Sequence, residues 1–140
     1  MRTTKAKRFD DQNEREIEKA VSKFSYHLMS NSKWVKLIEK LVENIDQILK
    51  IEFKKVLDDR IGEIYLEEDT TFDFDYWING FEGMNSLKGW ILYKEIEYLK
   101  FPKSTSQGEQ NINNIKNIIE SIGHFDFIEN ENELILLCYK

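Results

Sequence analysis

A chain of 140 residues with 41% hydrophobic and 33% charged side chains has the balance of one globular domain, which excludes a disordered or fibrous chain. The net charge of −6 is uneven: Met1 to Arg8 carries Arg2, Lys5, Lys7 and Arg8 and no acid, whereas Asp58 to Glu82 holds nine acids against Arg60 as its only base. Duplex binding needs cations clustered on a folded face, so this distribution argues against nucleic acid as a partner.

Met1 to Arg8 lacks apolar periodicity and is expected to be a flexible basic tail (1–8), leaving residues 9–140 as a single α+β domain. Asp10 or Asp11 caps a first helix, with Ile17, Ala20, Val21, Phe24 and Leu28 as its apolar stripe. After Ser30-Asn31-Ser32 a second helix is expected, capped by Ser32 and striped by Trp34, Leu37, Ile38, Leu41, Val42 and Ile45. Ordinary amphipathic stripes of this kind serve the core.

From Ile48 the period shifts to two. Ile51 and Phe53 alternate with Lys50, Glu52 and Lys54, and Asp58-Asp59 reads as a turn. Ile64 and Leu66 share a face opposite Glu63, Tyr65 and Glu67. A loop over Glu68, Asp69 and Thr70 would then set Leu66 against Phe72 and Ile64 against Phe74. On that reading Phe72, Phe74, Tyr76 and Ile78 face the core, and Thr71, Asp73, Asp75 and Trp77 face outward.

Gly80, Gly83 and Gly89 mark an irregular loop that ends in a strand within residues 90–101. Pro102 to Gly108 reads as a linker, and Ile112, Ile115, Ile118, Ile119 and Ile122 mark a third helix with Gly123 at its cap. A hairpin closes the chain: residues 124–128, a polar turn over 129–132, then Leu134 to Tyr139. That last run is apolar on both faces, so it belongs inside the sheet with cover on both sides. The fold class is therefore α+β: an antiparallel sheet of about five or six strands, two N-terminal helices, and one helix before the C-terminal hairpin.

Cys138, the only cysteine, has no partner for an internal disulfide, sits in the most apolar segment and should be inert. With no apolar run long enough to span a membrane and no apolar signal core, the expected location is cytoplasmic. Asp73-Phe74-Asp75 places two carboxylates on one strand face. A cation normally needs more oxygen ligands close by, so no metal and no cofactor is expected. His27, on a helix, and His124, just past a helix end, have structural readings: a protonated His124 suits a helix C-terminus. Gly80-Phe81-Glu82-Gly83 lacks the helix and lysine of a phosphate loop, and no Ser/His/Asp or Cys/His set is present. Catalytic residues are accordingly expected to be none.

The acidic face remains: Glu63, Tyr65, Glu67, Asp73, Asp75 and Trp77. One reading is a solvated face that discourages edge pairing, neutralised by Lys50 and Lys54. The other is a partner-binding surface for a basic protein, with Trp77 and Tyr65 as anchors. A third covers Trp77 with an internal helix or the 80–89 loop.

Ser32-Lys33-Trp34-Val35-Lys36-Leu37-Ile38, Tyr93-Lys94-Glu95-Ile96-Glu97-Tyr98-Leu99 and the closing Leu134 to Tyr139 run, in that order, resemble a family of small bacterial proteins, the domain-of-unknown-function family numbered 6678. The resemblance covers residues 32–140 and carries over no catalytic residue. In general character the chain also resembles the immunity proteins of bacterial toxin systems, small acidic domains that bind a basic toxin domain. The function this implies is a non-enzymatic protein-binding module, an immunity or antitoxin-like protein. The alternative is a small regulatory or housekeeping interaction domain, as a homodimer in one form, and an uncharacterised enzyme is the third reading.

Overall fold

The computed structural model describes residues 14–68, 70, 72–77, 81–82 and 91–140. The expected basic tail, the Asp10 or Asp11 cap, Asp69, Thr71, Ile78 and the glycines at 80, 83 and 89 lie outside the described residues. Residues 14–21 are helical (α1), and Ile17 is the residue this helix buries fully. The stripe expected to run on to Leu28 stops there. The backbone of residues 138–140 captures the next segment instead: Tyr26 and Lys140 exchange N–H···O bonds of 2.9 and 3.0 Å, and Leu28 N–H donates to Cys138 O at 2.9 Å. His27 consequently sits in an extended bridge to Tyr139, edge-on to its ring, and not on a helix. Aromatic residues are weak helix formers, so Phe24, Tyr26 and His27 yield readily to this pairing.

The second helix, α2, spans Asn31–Glu43 and buries Trp34, Leu37, Ile38 and Leu41. Its cap is Ser30, two residues before the expected Ser32. Ser30 has the extended backbone a cap needs, and its Oγ accepts from Lys33 N–H at 3.1 Å. The third helix, α3, spans Ile112–Glu120, is capped by the Asn111 side chain, and buries Ile112, Ile115 and Ile119. The C-terminal cap of α3 is Ser121, two residues before the expected cap at Gly123; Gly123, at φ +156°, has a backbone that side-chain-bearing residues rarely adopt and lets the chain turn away.

The strands are β1 (Ile51–Lys55), β2 (Asp58–Ile64), β3 (Tyr76–Trp77), β4 (Phe81–Glu82), β5 (Ile91–Leu92), β6 (Ile96–Pro102), β7 (Ser104–Thr105), β8 (Gly108–Glu109), β9 (Asp126–Glu129) and β10 (Glu133–Leu137). The large sheet has the order β4-β2-β1-β6-β10-β9, and every pairing in it is antiparallel. β3 with β5 and β7 with β8 make two small ribbons. The α+β class and the sheet size match the sequence expectation.

Period-two patterning sorts the sheet into two faces. Ile51, Phe53, Ile64, Leu99, Phe101, Leu134 and Leu136 are buried in one core with the inner faces of α2 and α3. On the other face lysines interleave with acids: Lys50 with Glu63 at 3.0 Å, Lys54 with Glu97 at 3.0 Å, Lys100 with Glu133 at 3.6 Å and with Glu52 at 3.8 Å. β10 is an interior strand, as its apolar run requires. Its second face differs from expectation, because Ile135 and Leu137 are only half-buried.

Three loops also differ. The β1–β2 turn falls at Val56 and Leu57, and Asp58 already belongs to β2. The expected linker is a short hairpin, β7–β8, followed by Gln110, which is 4% exposed. The Gln110 Oε1 accepts from Leu49 N–H at 2.9 Å, and its Nε2 donates to Lys50 O at 2.9 Å and Pro102 O at 2.6 Å. One satisfied amide thus ties the entry to β1 to the exit from β6. Lastly, β2 stops at Ile64 and pairs with β4 (Ile64 opposite Phe81), so the expected pairing of Ile64 with Phe74 and of Leu66 with Phe72 does not form. Among the described residues no helix is long and apolar enough to cross a membrane.

Candidate partner-binding site

The acidic residues singled out by sequence fall into two groups. Glu63 stands on the outer face of β2, where its carboxylate receives the Tyr65 hydroxyl at 2.6 Å and Lys50 Nζ at 3.0 Å. Tyr65 holds the Glu63 carboxyl below its ordinary range first, then Lys50, against a smaller opposing effect of burial. Tyr65 is 43% exposed, so its ring body faces solvent while its hydroxyl is held. Glu67 is exposed beyond the strand. Its backbone closes a turn with Thr70, whose hydroxyl donates to Glu67 O at 2.7 Å.

The second group is a turn, and it reverses the expected facing. Phe72 and Trp77 form an antiparallel bridge, and Asp73 N–H donates to Tyr76 O at 2.8 Å, so the chain doubles back over residues 73–76. Period two assumes an unbroken strand, and a turn breaks it. Trp77 is fully buried, with its ring edge toward Trp34 at 6.5 Å between centroids; Trp34 stacks in turn on Tyr93 at 5.3 Å. Trp77 is therefore core, covered by α2, and is withdrawn from the outward face. Phe74, expected in the core, is 61% exposed at the tip of the turn, and Tyr76 is half-buried. Asp73 and Asp75 are exposed, as expected.

Tyr93 fixes this turn. Its N–H donates to Asp75 O at 3.0 Å and its hydroxyl donates to Asp73 O. Burial, then the charges of Asp73 and Asp75, push the Tyr93 hydroxyl well above its ordinary range. The Tyr76 hydroxyl, 3.3 Å from Asp73 Oδ2, is also raised, chiefly by the Asp73 charge. A further tie is internal to the tip, where Asp73 Oδ1 accepts from Phe74 N–H at 2.7 Å. The product is an apolar ring displayed between two carboxylates on a backbone anchored to the core.

Sequence reasoning missed Phe74 and Tyr93. The available signal was the pair of aspartates flanking one residue, since short carboxylates that bond nearby backbone favour turns over strands.

Elsewhere the chemistry is structural. Burial raises the Cys138 thiol far above its ordinary range, which removes thiolate at neutral pH. His27 lies 3.2 Å from Val21 O, and the His124 carbonyl accepts from Lys33 Nζ at 2.8 Å. Among the described residues, no group of three or more His, Cys, Asp or Glu side chains is placed to hold a metal ion. Glu95 is buried, accepts from Leu92 N–H at 2.7 Å and lies 3.9 Å from Lys55 Nζ. That arrangement caps a short helical turn, η2 (Tyr93–Glu95), ahead of β6.

No family model, curated protein or solved structure matches this chain.

Proposed function

We propose that this protein is a cytoplasmic, non-enzymatic binding module, an immunity or antitoxin-like protein that neutralises a basic toxin domain by direct contact. The observation that carries the reading is the Asp73-Phe74-Asp75 tip, with Phe74 61% exposed on a turn held by Tyr93. An exposed aromatic on a fixed backbone loses little conformational freedom on binding, which is the property of an interface anchor. The carboxylates beside it supply long-range attraction to a cationic partner and speed encounter. Glu63, Tyr65 and Glu67 add a second acidic patch with its own half-exposed ring. Trp77 contributes from inside, as the brace that keeps the tip in place.

Capture from the native host tests this reading. Wild-type protein and an Asp73→Lys, Phe74→Ala, Asp75→Lys variant serve as paired baits, with mass spectrometry of the bound fractions. A basic protein retained by the first and lost by the second supports the proposal. Equal retention by both baits, or none by either, overturns it.

A further inference from the structure

β9 forms one end of the large sheet, and among the described residues no strand lies on its outer side. Asn130 N–H donates to Glu133 O at 3.1 Å, so the next hydrogen-bonded pair along the ladder is Ile128 with Ile135. The N–H and C=O groups of Phe127 and Glu129 therefore point away from β10. The outer face of the sheet adds a second observation. One row crosses it from β2 to β9 as Glu63, Glu52, Lys100, Ile135 and Ile128, charged at one side and apolar at the other. Ile128 ends the row and is 51% exposed. Natural edges place charge where pairing must be prevented. This row places isoleucine there.

A second copy related by a two-fold axis pairs antiparallel, outward backbone groups to outward backbone groups. Phe127 against itself would set Ile128 opposite Asp126, an apolar side chain beside a carboxylate. Glu129 against itself would set like charges side by side. Phe127 against Glu129 sets Ile128 opposite Ile128 and Asp126 opposite Asn130. In this register each outward pair exchanges both N–H···O bonds, and the isoleucines meet at the axis as a non-hydrogen-bonded pair, where side chains approach closest. The apolar row then continues as Ile135, Ile128, Ile128 and Ile135. The acids are also accommodated. Glu129 arrives already held by Lys116 Nζ at 2.8 Å. Asn130 Oδ1 accepts from Asn132 N–H at 2.8 Å and Glu133 N–H at 3.1 Å, so its Nδ2 is the atom left to donate to Asp126 of the second copy.

We propose that the protein forms a two-fold dimer in which the β9 strands of two copies pair antiparallel about Ile128, joining their large sheets into one. The edge commits to a second copy because it complements itself: its open backbone groups, its isoleucine and its Asp126 with Asn130 all find partners in a single register. The pairing uses none of residues 63–67 or 73–75, so it stands or falls separately from the function proposed above.

Sedimentation equilibrium of the full-length chain over a concentration series is the test. Half of the chains should be dimeric at a concentration between about 10 and 100 μM, as suits a small interface. Raising salt should tighten the association several-fold, because it screens the repulsion between two chains of net charge −6. Ile128→Lys, at an exposed position, should keep the melting temperature and weaken dimerisation by about tenfold or more. The register has its own readout. Ile128→Cys should give a disulfide-linked dimer under mild oxidation, since a non-hydrogen-bonded pair lies within disulfide reach, and Asn130→Cys should not. The native Cys138 is buried and does not interfere. A chain that stays monomeric up to about 1 mM, far above the range of a weak specific contact, overturns the proposal and leaves the edge to some other occupant. Dimerisation that Ile128→Lys leaves intact, or cross-linking through Asn130→Cys but not Ile128→Cys, overturns it as well. Association that weakens with salt would assign the contact to charged groups and sink it too.

Discussion

β10 and the segment from Phe72 to Trp77 are both rich in large apolar side chains, yet one is ruled by its neighbours and the other by its own turn. Leu134 and Leu136 are fully buried because β6 and β9 flank β10 in register and fix which way each residue points. Residues 73–75 lie in no strand, and Tyr76 and Trp77 have a ladder of two pairs, with Leu92 and Ile91 of β5. A bridge from Phe72 to Trp77 and the two bonds from Tyr93 set their facing, and these bring Trp77 inward and Phe74 outward. Strand patterning is thus informative in proportion to the pairing that enforces it.

Truncation of each region's buried side chain puts this to the test with the largest effects. Trp77→Ala should lower unfolding free energy by about 3–5 kcal/mol, because it empties a site braced by Trp34. Leu136→Ala should cost about 2–5 kcal/mol in the same urea titration. A loss for Trp77→Ala no larger than that of a surface residue would return Trp77 to the outward face.

Alkaline titration should sharpen the contrast next. Burial raises the Tyr139 hydroxyl from an ordinary 10.0 to about 12, and raises Tyr93 and Cys138 further. Groups whose folded pKa is raised stabilise fully below their unfolded values and lose that contribution as pH climbs through the folded ones. The urea midpoint should hold up to about pH 9 and fall steadily from there to about pH 12 and beyond. Tyr139→Phe should flatten part of that fall. A midpoint that stays constant over this window would show that the phenols and the thiol are not sequestered.

A smaller effect is expected where one atom holds the turn. Tyr93→Phe keeps the stack on Trp34 and removes the donor to Asp73 O, so stability should drop by about 1–2 kcal/mol. Amide exchange at Asp73 to Tyr76 should rise more than in β10. Uniform exchange changes would mean that the turn and the sheet unfold as one unit.

Smallest of all, Phe74→Ala should alter stability by no more than about 0.5 kcal/mol, since the ring is mostly solvated. The same change should weaken partner binding by about 2 kcal/mol if Phe74 is the anchor. A variant that loses stability instead would place Phe74 in the core after all.

What could be read from sequence follows the same physics. The stripes of α2 and α3, the alternation of β1 and the interior placement of β10 rest on repeated periodicity over several residues and survived, except that Ile45 and Ile122 lie past the ends of their helices. Ser30 displaced Ser32 as a cap because both are chemically suitable and only backbone geometry distinguishes them. Residues 26–28 left their helix because their partners lie at the other end of the chain, a contact no local pattern encodes. The acidic character of Glu63, Glu67, Asp73 and Asp75 was legible from composition. The exchange of Trp77 for Phe74 was legible only in part: the aspartates on either side of Phe74 signal a turn, whereas the Tyr93 hydroxyl that ties it to the core lies twenty residues away in sequence.

The pairing of residues 26–28 with 138–140 also has a kinetic meaning. It closes a loop of about 110 residues, so it gains nothing until most of the intervening chain is already compact. Contacts of that kind form after the folding barrier. Weakening this seam, for instance with Tyr139→Ala, should leave the refolding rate nearly unchanged and hasten unfolding. The seam would then govern how long the folded molecule persists, and the sheet how quickly it is reached.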